Sequence, residues 1–509
     1  MQLGLWLVVC IALAVLLRRR PAILVSLGLG IWIVVPSVAS AAVTGIDSGS
    51  LSFAPSTWLI LISLVVQLLY DGGGLMQEIA RRPFVYVALF LVLSVAFLAT
   101  KTSPGGSGVV LFTDQIAAPV ALFMVAGAGL WRRPGDIAVI RNTIVWLAAA
   151  EGALTIVQFA THSIIFYRTY FAKTYWFNEL VYDRWMGTTD QPLTLSLLIC
   201  VAVPLVAGIR RLWLQIPLLL IMAIGVIITQ SRSGVALVGL GIVYVILTTR
   251  VALTSKILAL VAMSIAGFVV LSSSLTAGVA GRVAYDQGSA VARGDAFGLF
   301  FDNWLDYFFT GGGIGFSYRF ADLGGLTTSL ESSIMMYAID IGVVFSLLYF
   351  GTQLVIVLRS AGKPGCPGVF LAGLMVLIIP QTYSALATGS LAGVLLWTVL
   401  AMAAALGTNS AMASATATPA ARVETKANLR DPGRVIAAAG VVPAAVTPGS
   451  ALASPTAAPA VDFLRTARGA TIPQSDGFLP AGAQNQESLN DREPASGDQD
   501  SARDATWIG

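Results

Sequence analysis

The sequence predicts an all-α integral membrane protein, a bundle of about 12–13 transmembrane helices with a long external loop and a disordered C-terminal tail. Three observations predict this fold class. Hydrophobic residues make up 56% of the chain and charged residues 11%, with a mean hydropathy of +0.81. Apolar runs recur from residue 2 to residue 406, and basic residues cluster between them. Since soluble proteins carry about 25% charged residues, lipid is expected to be the solvent of most of this chain.

The apolar runs approach the roughly 17–25 residues that a transmembrane helix needs. They lie at 2–17, 22–44, 57–70, 84–100, 116–131, 137–160, 192–209, 212–229, 234–249, 252–275, 332–358, 369–386 and 389–406. The first run is either a full span with an external N-terminus or a partial, interfacial element. The count therefore stays at about twelve or thirteen spans.

Basic clusters between the runs predict the orientation of the bundle. Arg18-Arg19-Arg20 follow the first run. If the helices alternate, the pairs at 81–82, 132–133, 210–211, 250 with 256, and 359 with 363 fall on the same side. Because basic loops favour the cytoplasm, that side is predicted to be cytoplasmic. The opposite, external side then carries residues 162–191, the turn at 230–234 and the loop 276–331.

The chain is predicted to change character near residue 406. Residues 1–406 form the polytopic transmembrane domain, with the external loop at 276–331. Residues 407–509 are dominated by Ala, Pro, Thr, Ser and Gly, followed by a polar end. Such a segment buries too little apolar surface to offset its ordering entropy, which predicts a disordered cytoplasmic tail. A membrane-tethered docking arm is the alternative interpretation.

Composition also argues against several function classes. A net charge of +4 is too small to indicate a nucleic-acid partner. The cysteines, Cys10, Cys200 and Cys366, are far apart and show no metal-ligand spacing. His162 is the single histidine, so neither a histidine-based metal site nor a Ser-His-Asp triad is expected. We predict no cofactor and no metal.

A short polar turn separates two apolar runs at Thr229–Gly234. Its Arg232 lies at a predicted membrane boundary, where an ionised group usually faces a partner or a wet cavity. Snorkelling toward the lipid headgroups is the alternative use of this arginine. Ser231, Ser233 and Gly234 favour a tight turn whose backbone NH groups would bind an oxyanion.

The predicted external loop contains an aromatic stripe after Arg293. The stripe consists of Phe297, Phe300, Phe301, Trp304 and Phe308. Its helical spacing predicts a short amphipathic helix that lies in the interface plane or packs on the bundle. A lid that holds Arg293 over a site is the functional interpretation. The glycines at 311–315 lack the Lys-Ser/Thr of a phosphate-binding loop, which leaves a flexible turn or a backbone anion nest.

Two further stretches keep alternatives open. Glu331 begins an apolar run, where it is either a helix N-terminal charge or a general base. Asp340 lies further along that run and is a candidate structural partner.

The aromatic and charged segment Tyr167–Gln191 is either an interfacial belt or a glycan-binding groove.

Four stretches, taken in order, carry a resemblance. They are Arg184-Trp185-Met186-Gly187-Thr188-Thr189-Asp190-Gln191-Pro192, Thr229-Gln230-Ser231-Arg232-Ser233-Gly234-Val235, Arg293 through the glycines at 311–315, and Glu331 through Ile341-Gly342-Val343. In this order they resemble the O-antigen ligase/polymerase superfamily of bacterial envelope proteins. The resemblance covers roughly residues 20–406.

The resemblance implies a metal- and nucleotide-independent glycosyltransferase at the external face of the bacterial plasma membrane. It would transfer glycans from polyprenyl pyrophosphate to an acceptor glycan. The diphosphate leaving group of such a donor needs cations and NH donors, and the hydroxyl of the acceptor glycan needs a base. The implied catalytic residues are Glu331, Arg232 and Arg293, and the implied substrate-binding residues are Arg184, Ser231, Ser233 and Arg319. The lipid bilayer is the third implied partner, and other envelope polysaccharide assembly proteins are candidates.

One departure from the family pattern bears on the reaction. The ligases usually carry a His-Asn pair where this chain has Glu331-Ser332. A carboxylate there is similar to the polysaccharide polymerases, so polymerisation of exopolysaccharide or O-antigen-like repeats is the leading hypothesis, with ligase-type transfer left open. A lipid-linked sugar flippase is a weaker hypothesis, because the sequence shows few deep polar residues and no internal repeat. A non-catalytic scaffold that uses the tail is the third.

Overall fold

The computed structural model describes residues 2–104, 108–173, 184–249, 251–271, 287–326, 329–387 and 389–407. Every regular element in these ranges is a helix, in agreement with the predicted all-α class. The predicted tail lies outside the described residues from 408 onward. So do residues 276–286 and 327–328 of the predicted loop and the aromatic stretch 174–183.

The helices follow one another with short connections. They are α1 (Gln2–Leu16), α2 (Pro21–Val34), α3 (Ser40–Thr44), α4 (Pro55–Arg81), α5 (Pro83–Ala99), α6 (Gly108–Phe112), α7 (Ala118–Leu130), α8 (Ile137–Thr161), α9 (Arg168–Phe171), α10 (Pro192–Leu205), α11 (Leu212–Ile228), α12 (Arg232–Thr248), α13 (Leu253–Leu271), α14 (Gln287–Asn303), α15 (Phe316–Leu323), α16 (Ser333–Ile341), α17 (Val343–Arg359), α18 (Val369–Ile378) and α19 (Leu391–Gly407). Proline is the first residue of α2, α4, α5 and α10, a position where its missing NH costs no helical hydrogen bond.

In the part of the chain that the structure describes, four helical stretches are long and apolar enough to cross a membrane. They are Pro55–Arg81, Pro83–Thr102, Gly108–Leu130 and Pro134–Thr161. A fifth results if Pro21–Val34 and Ser37–Thr44, which meet at a bend of 82°, count as one span. The described residues also contain eight shorter apolar helices, and each predicted run overlaps at least one of these elements. The described part of the chain is thus all-helical with four or five candidate spans, which is consistent with the predicted membrane bundle, and the larger number of spans stays a prediction.

The apolar run 332–358 was predicted to form a single span, but in the structure it is broken into two helices. It forms α16 and α17, which meet at Gly342. Gly342 has φ 104° and ψ 145°, a backbone conformation that is essentially restricted to glycine. A Cβ on this residue would also lie 2.8 Å from the carbonyl oxygen of Phe309. The break therefore depends on this glycine and on the close approach of the preceding loop.

The glycine cluster at 311–315 supplies hydrogen bonds to this break. The Gly312 NH donates to the carbonyl of Ile339 at 2.9 Å, and the Gly313 NH donates to that of Asp340 at 3.1 Å. These bonds satisfy carbonyls that lose their helical partners where α16 ends. The anion-nest interpretation is therefore wrong for Gly312 and Gly313, because their NH groups are already used within the protein.

Helix α10 forms the buried centre around which the candidate site is built. All of its residues except Leu193 are buried, and it packs against α8, α12 and α18. Its first turn is thereby fixed from several sides. Any side chain attached to that turn takes its position from the core of the bundle.

Candidate functional site

Arg293 and Glu331 form an ion pair. Arg293 lies on α14 and Glu331 lies two residues before α16, and the Nε of Arg293 is 2.9 Å from Oε2 of Glu331. The two side chains are 44% and 23% exposed. At that exposure an ion pair adds only about 0–1 kcal/mol to stability. The structure thus brings together two of the three predicted catalytic residues at little energetic benefit to the fold.

The backbone of Glu331 is strained. Its φ is +49°, in the left-handed region that residues other than glycine rarely adopt. Such conformations cost about 1–3 kcal/mol and persist where the surroundings enforce them. Here Leu330 and Ser332 are buried on either side, while the Glu331 side chain stays partly exposed. The carboxylate is therefore held at the rim of the bundle by buried neighbours.

Residues 381–386 anchor the start of α16. The NH of Ile334 donates to Oε1 of Gln381 at 2.9 Å, and the NH of Leu386 donates to the Ser333 hydroxyl oxygen at 3.3 Å. The Tyr383 hydroxyl in turn donates to the carbonyl of Leu193, in the first turn of α10, at 3.3 Å. The position of Glu331 is thereby connected to the centre of the bundle.

The turn that carries Arg232 packs closely against α10 at Ser196. Ser231 caps α12, since its hydroxyl oxygen accepts the Gly234 NH at 3.2 Å. A Cβ at Gly234 would collide with the hydroxyl of Ser196, so glycine is what allows α12 to approach α10 here. Arg232 begins α12 and is half-buried, and Ser233 is exposed. Ser231 therefore has a structural role as the cap of α12, in addition to its predicted role in substrate binding.

Arg184 lies against the same turn. Its Nε donates to the carbonyl of Thr229 at 3.0 Å, and Thr229 directly precedes Gln230 in the turn. Gln230 itself has a φ of +54°, so the chain bends sharply between Thr229 and Ser231. The side chain of Arg184 and the turn that begins α12 therefore form a second predicted group of residues that the fold brings together.

The segment that begins at Arg184 is held by buried polar side chains of α8. Gln158 makes two hydrogen bonds to the backbone of Gly187, at 2.8 and 2.9 Å. Glu151 accepts from both the NH and the hydroxyl of Thr188, each at 2.7 Å. The Thr188 hydroxyl also lies 2.7 Å from the carbonyl of Ile33, near the C-terminal end of α2. This network orients Arg184 toward the turn.

The anchors on α8 were missed in the sequence, although a signal for them exists. Glu151, Thr155 and Gln158 interrupt an apolar run at spacings of four and three residues, which places them on one face of a helix. Ionisable and amide side chains inside a span usually have a structural or functional partner. The spacing would therefore have predicted a buried polar face on α8, although not the segment that it contacts.

The fold thus brings the predicted residues together in two groups. The first contains Arg293 and Glu331, and the second contains Arg184 and the turn at 230–234. Among the described residues, no hydrogen bond or ion pair joins Glu331 to Arg232. Arg319 is exposed on α15 and has no bond to Glu331 within the described ranges. No group of three or more metal-ligating side chains occurs in the part of the chain that the structure describes.

Asp190, at the end of the anchored segment, is buried beside the bend after α2. The NH and the hydroxyl of Ser37 both donate to its Oδ1, at 2.6 and 2.7 Å. Burial raises the pKa of Asp190 to about 6, although the donors from Ser37 favour the charged form. The Oδ2 atom is buried without a hydrogen-bond partner among the described residues, in agreement with burial as the larger effect.

Asp190 is expected to make the folded state less stable as the pH rises from about 4 to about 6. Its pKa is higher in the folded than in the unfolded chain, so the unfolded state loses its proton first. The loss amounts to about 3 kcal/mol above pH 6 for a shift of this size. The Asp190→Asn variant should lose this dependence in thermal melts between pH 4 and pH 7. Exposed Asp47→Asn is the control, and an unchanged slope in Asp190→Asn would contradict the assignment.

Comparison with known proteins finds neither a family model nor a curated protein that matches this chain. The family relationship of the protein is accordingly a proposal that depends on its own residues.

Proposed function

We propose that this protein is a membrane glycosyltransferase that acts on polyprenyl-pyrophosphate-linked glycans at the external face of the bacterial plasma membrane. The proposed reaction is the polymerisation of exopolysaccharide or O-antigen-like repeat units. The observation that carries the proposal is the pairing of Arg293 with a strained, partly exposed Glu331 at the edge of a buried core.

The pairing favours this chemistry because the two reacting partners of glycan transfer need opposite charges close together. A leaving diphosphate is stabilised by guanidinium groups, and an acceptor hydroxyl is activated by a carboxylate. A diphosphate oxygen bound by Arg293 would lie beside Glu331, because the two side chains are in contact at 2.9 Å. Binding of the donor would thus take Arg293 from the carboxylate and leave Glu331 beside the sugar.

The proposed step is a substitution at the anomeric carbon of the lipid-linked glycan. The acceptor hydroxyl oxygen forms the new bond to this carbon, and its proton passes to the carboxylate of Glu331. The bond between the anomeric carbon and the diphosphate oxygen breaks, and the polyprenyl diphosphate leaves with the electron pair. Arg293 and Arg232 would stabilise the charge on the leaving group, a role that is electrostatic and needs no covalent intermediate.

The second group of residues is proposed to bind the diphosphate or the neighbouring sugar. Arg232 lies at the start of α12, where the helix dipole favours an anion. Arg184 is held against the same turn by Thr229, and the exposed Ser233 is accessible to a ligand. Arg319 is proposed only as an outer contact for the glycan, since it is exposed and unconnected to Glu331 among the described residues.

The Arg232→Ala variant is expected to lower elongation of a lipid-linked oligosaccharide by about 10²–10³-fold, the usual effect of losing one stabilising donor. The measurement uses purified full-length protein in detergent, without nucleotide. Arg211→Ala, which removes an exposed arginine from the turn between α10 and α11, is the matched control and should elongate normally. Normal elongation by Arg232→Ala would reject its assignment.

The lipid-linked glycans of a deletion strain distinguish polymerisation from the other reactions. Accumulation of single repeats supports a polymerase. Finished long chains retained on the carrier would show a ligase, and repeats retained on the cytoplasmic side would show a flippase. Full polymer in the deletion strain would reject all of these roles.

A further inference from the structure

The turn between α1 and α2 lies against the turn between α7 and α8. The Nη1 of Arg133 donates to the carbonyl of Arg19 at 3.1 Å, which joins the two turns directly. Helix α2 belongs to the bent candidate span, and α8 belongs to the candidate span Pro134–Thr161. The contact is therefore at the end of two membrane-crossing elements, where lipid headgroups are expected.

A cavity of about 260 Å³ lies between these turns. Its lining consists of Arg20, Ala22, Ile23, Arg133, Asp136 and Val139. The charged side chains and the aliphatic ones make the lining amphipathic. An amphipathic lining at a helix end matches the region of a phospholipid where the headgroup joins the acyl chains.

The arginines of this cavity differ from their neighbours in the same region. Arg132 is paired with Asp71, Arg82 with Glu78, and the guanidinium of Arg81 stacks on Trp131 at 3.5 Å. By contrast, neither Arg20 nor Arg133 has a carboxylate within ion-pair distance in the described part of the chain. Both are exposed, so their charge is available to a ligand.

The charge of the cavity selects the kind of anion. Arg20 and Arg133 contribute two positive charges and Asp136 contributes one negative charge, so the lining carries one net positive charge. The N-terminus of α2, with Pro21 at its first position, adds the positive end of a helix dipole beside Ala22. A singly charged phosphodiester balances this lining better than a doubly charged free phosphate does.

We propose that this cavity binds the phosphodiester of an anionic glycerophospholipid such as phosphatidylglycerol. Arg20 and Arg133 hold the phosphate oxygens, and Asp136 accepts a hydrogen bond from a headgroup hydroxyl. Ile23 and Val139 contact the first methylenes of the acyl chains. Lipid bound there would join the turns before α2 and α8 and stabilise the contact between Arg133 and Arg19. This site is separate from Arg293 and Glu331.

The test is native mass spectrometry of the full chain released from nanodiscs that contain phosphatidylglycerol. The Arg20→Ala/Arg133→Ala variant should retain at least about tenfold less of this lipid, since two charge-assisted contacts are lost. The matched control, Arg210→Ala/Arg211→Ala, removes the same charge from another exposed turn and should retain the wild-type amount. Unchanged retention in the first variant, or an equal loss in both, overturns the proposal.

Two further measurements distinguish binding of an anionic lipid from binding of a zwitterionic lipid or of free phosphate. Phosphatidylcholine should be retained far less than phosphatidylglycerol, and inorganic phosphate should not displace the bound lipid. Equal retention of both lipids, or displacement by inorganic phosphate, overturns the assignment to an anionic lipid. If the double variant does not fold, Val139→Trp fills the cavity with both arginines in place, and it should also lose the lipid. Full retention by Val139→Trp overturns the site.

Discussion

Replacement of Glu331 by glutamine is expected to slow glycan elongation by about 10²–10⁴-fold, the usual contribution of a positioned general base. Glutamine has nearly the same shape and can still accept a hydrogen bond from Arg293, but it cannot take up the acceptor proton. The rate is measured with purified full-length protein and a lipid-linked oligosaccharide. The Asp322→Asn variant removes an exposed carboxylate from α15 and should keep the wild-type rate.

The backbone of Glu331 offers a second variant that separates function from stability. Glycine adopts a φ of +49° without strain, so Glu331→Gly should relieve about 1 kcal/mol or more. The lost ion pair is partly exposed and contributes about 0–1 kcal/mol, so the thermal midpoint should be equal or higher. Elongation should nevertheless be abolished. A structural glutamate would give the reverse pattern, with a lower midpoint and retained elongation.

The apolar runs in the sequence were sufficient to locate most of the longer helices, although not their breaks. Apolar runs place them because a membrane-crossing segment must bury its backbone polar groups within itself. Prolines at the first position of α2, α4, α5 and α10 refine the starts. The bend at residues 35–36 was not predicted, because the apolar run continues across it. Its polar contacts come from Thr188 and Asp190, more than 150 residues away.

The candidate site was predictable in its residue types but not in its connections. An arginine or a carboxylate at the end of an apolar run is visible in sequence. That Glu331 meets Arg293, and not Arg232, depends on the path of the chain from α14 to α16. The strain at Glu331 and Gln230 was also invisible, because neither residue type favours a positive φ. Such conformations are enforced by packing, which a local pattern does not contain.

The Gly342→Ala variant is expected to destabilise the protein by at least about 1–3 kcal/mol, the cost of a side chain in a glycine-only backbone conformation. The added Cβ would also lie 2.8 Å from the carbonyl oxygen of Phe309, within the loop that carries the glycine cluster. Because the neighbouring contact is backbone, a rotamer change cannot relieve it. The measurement is the thermal midpoint of the purified protein, together with the yield of monodisperse protein from membranes.

Gly351, on the same helix α17, provides the matched control. A Cβ at Gly351 would meet nothing within 4 Å, and alanine favours the helix by about 1 kcal/mol over glycine. Gly351→Ala should therefore keep or raise the midpoint, while Gly342→Ala lowers it. If Gly342→Ala has the same thermal midpoint as the wild type, α16 and α17 can join without a glycine at this positive φ. In that case the glycine loop would not be needed to hold the end of α16, the helix whose start positions Glu331.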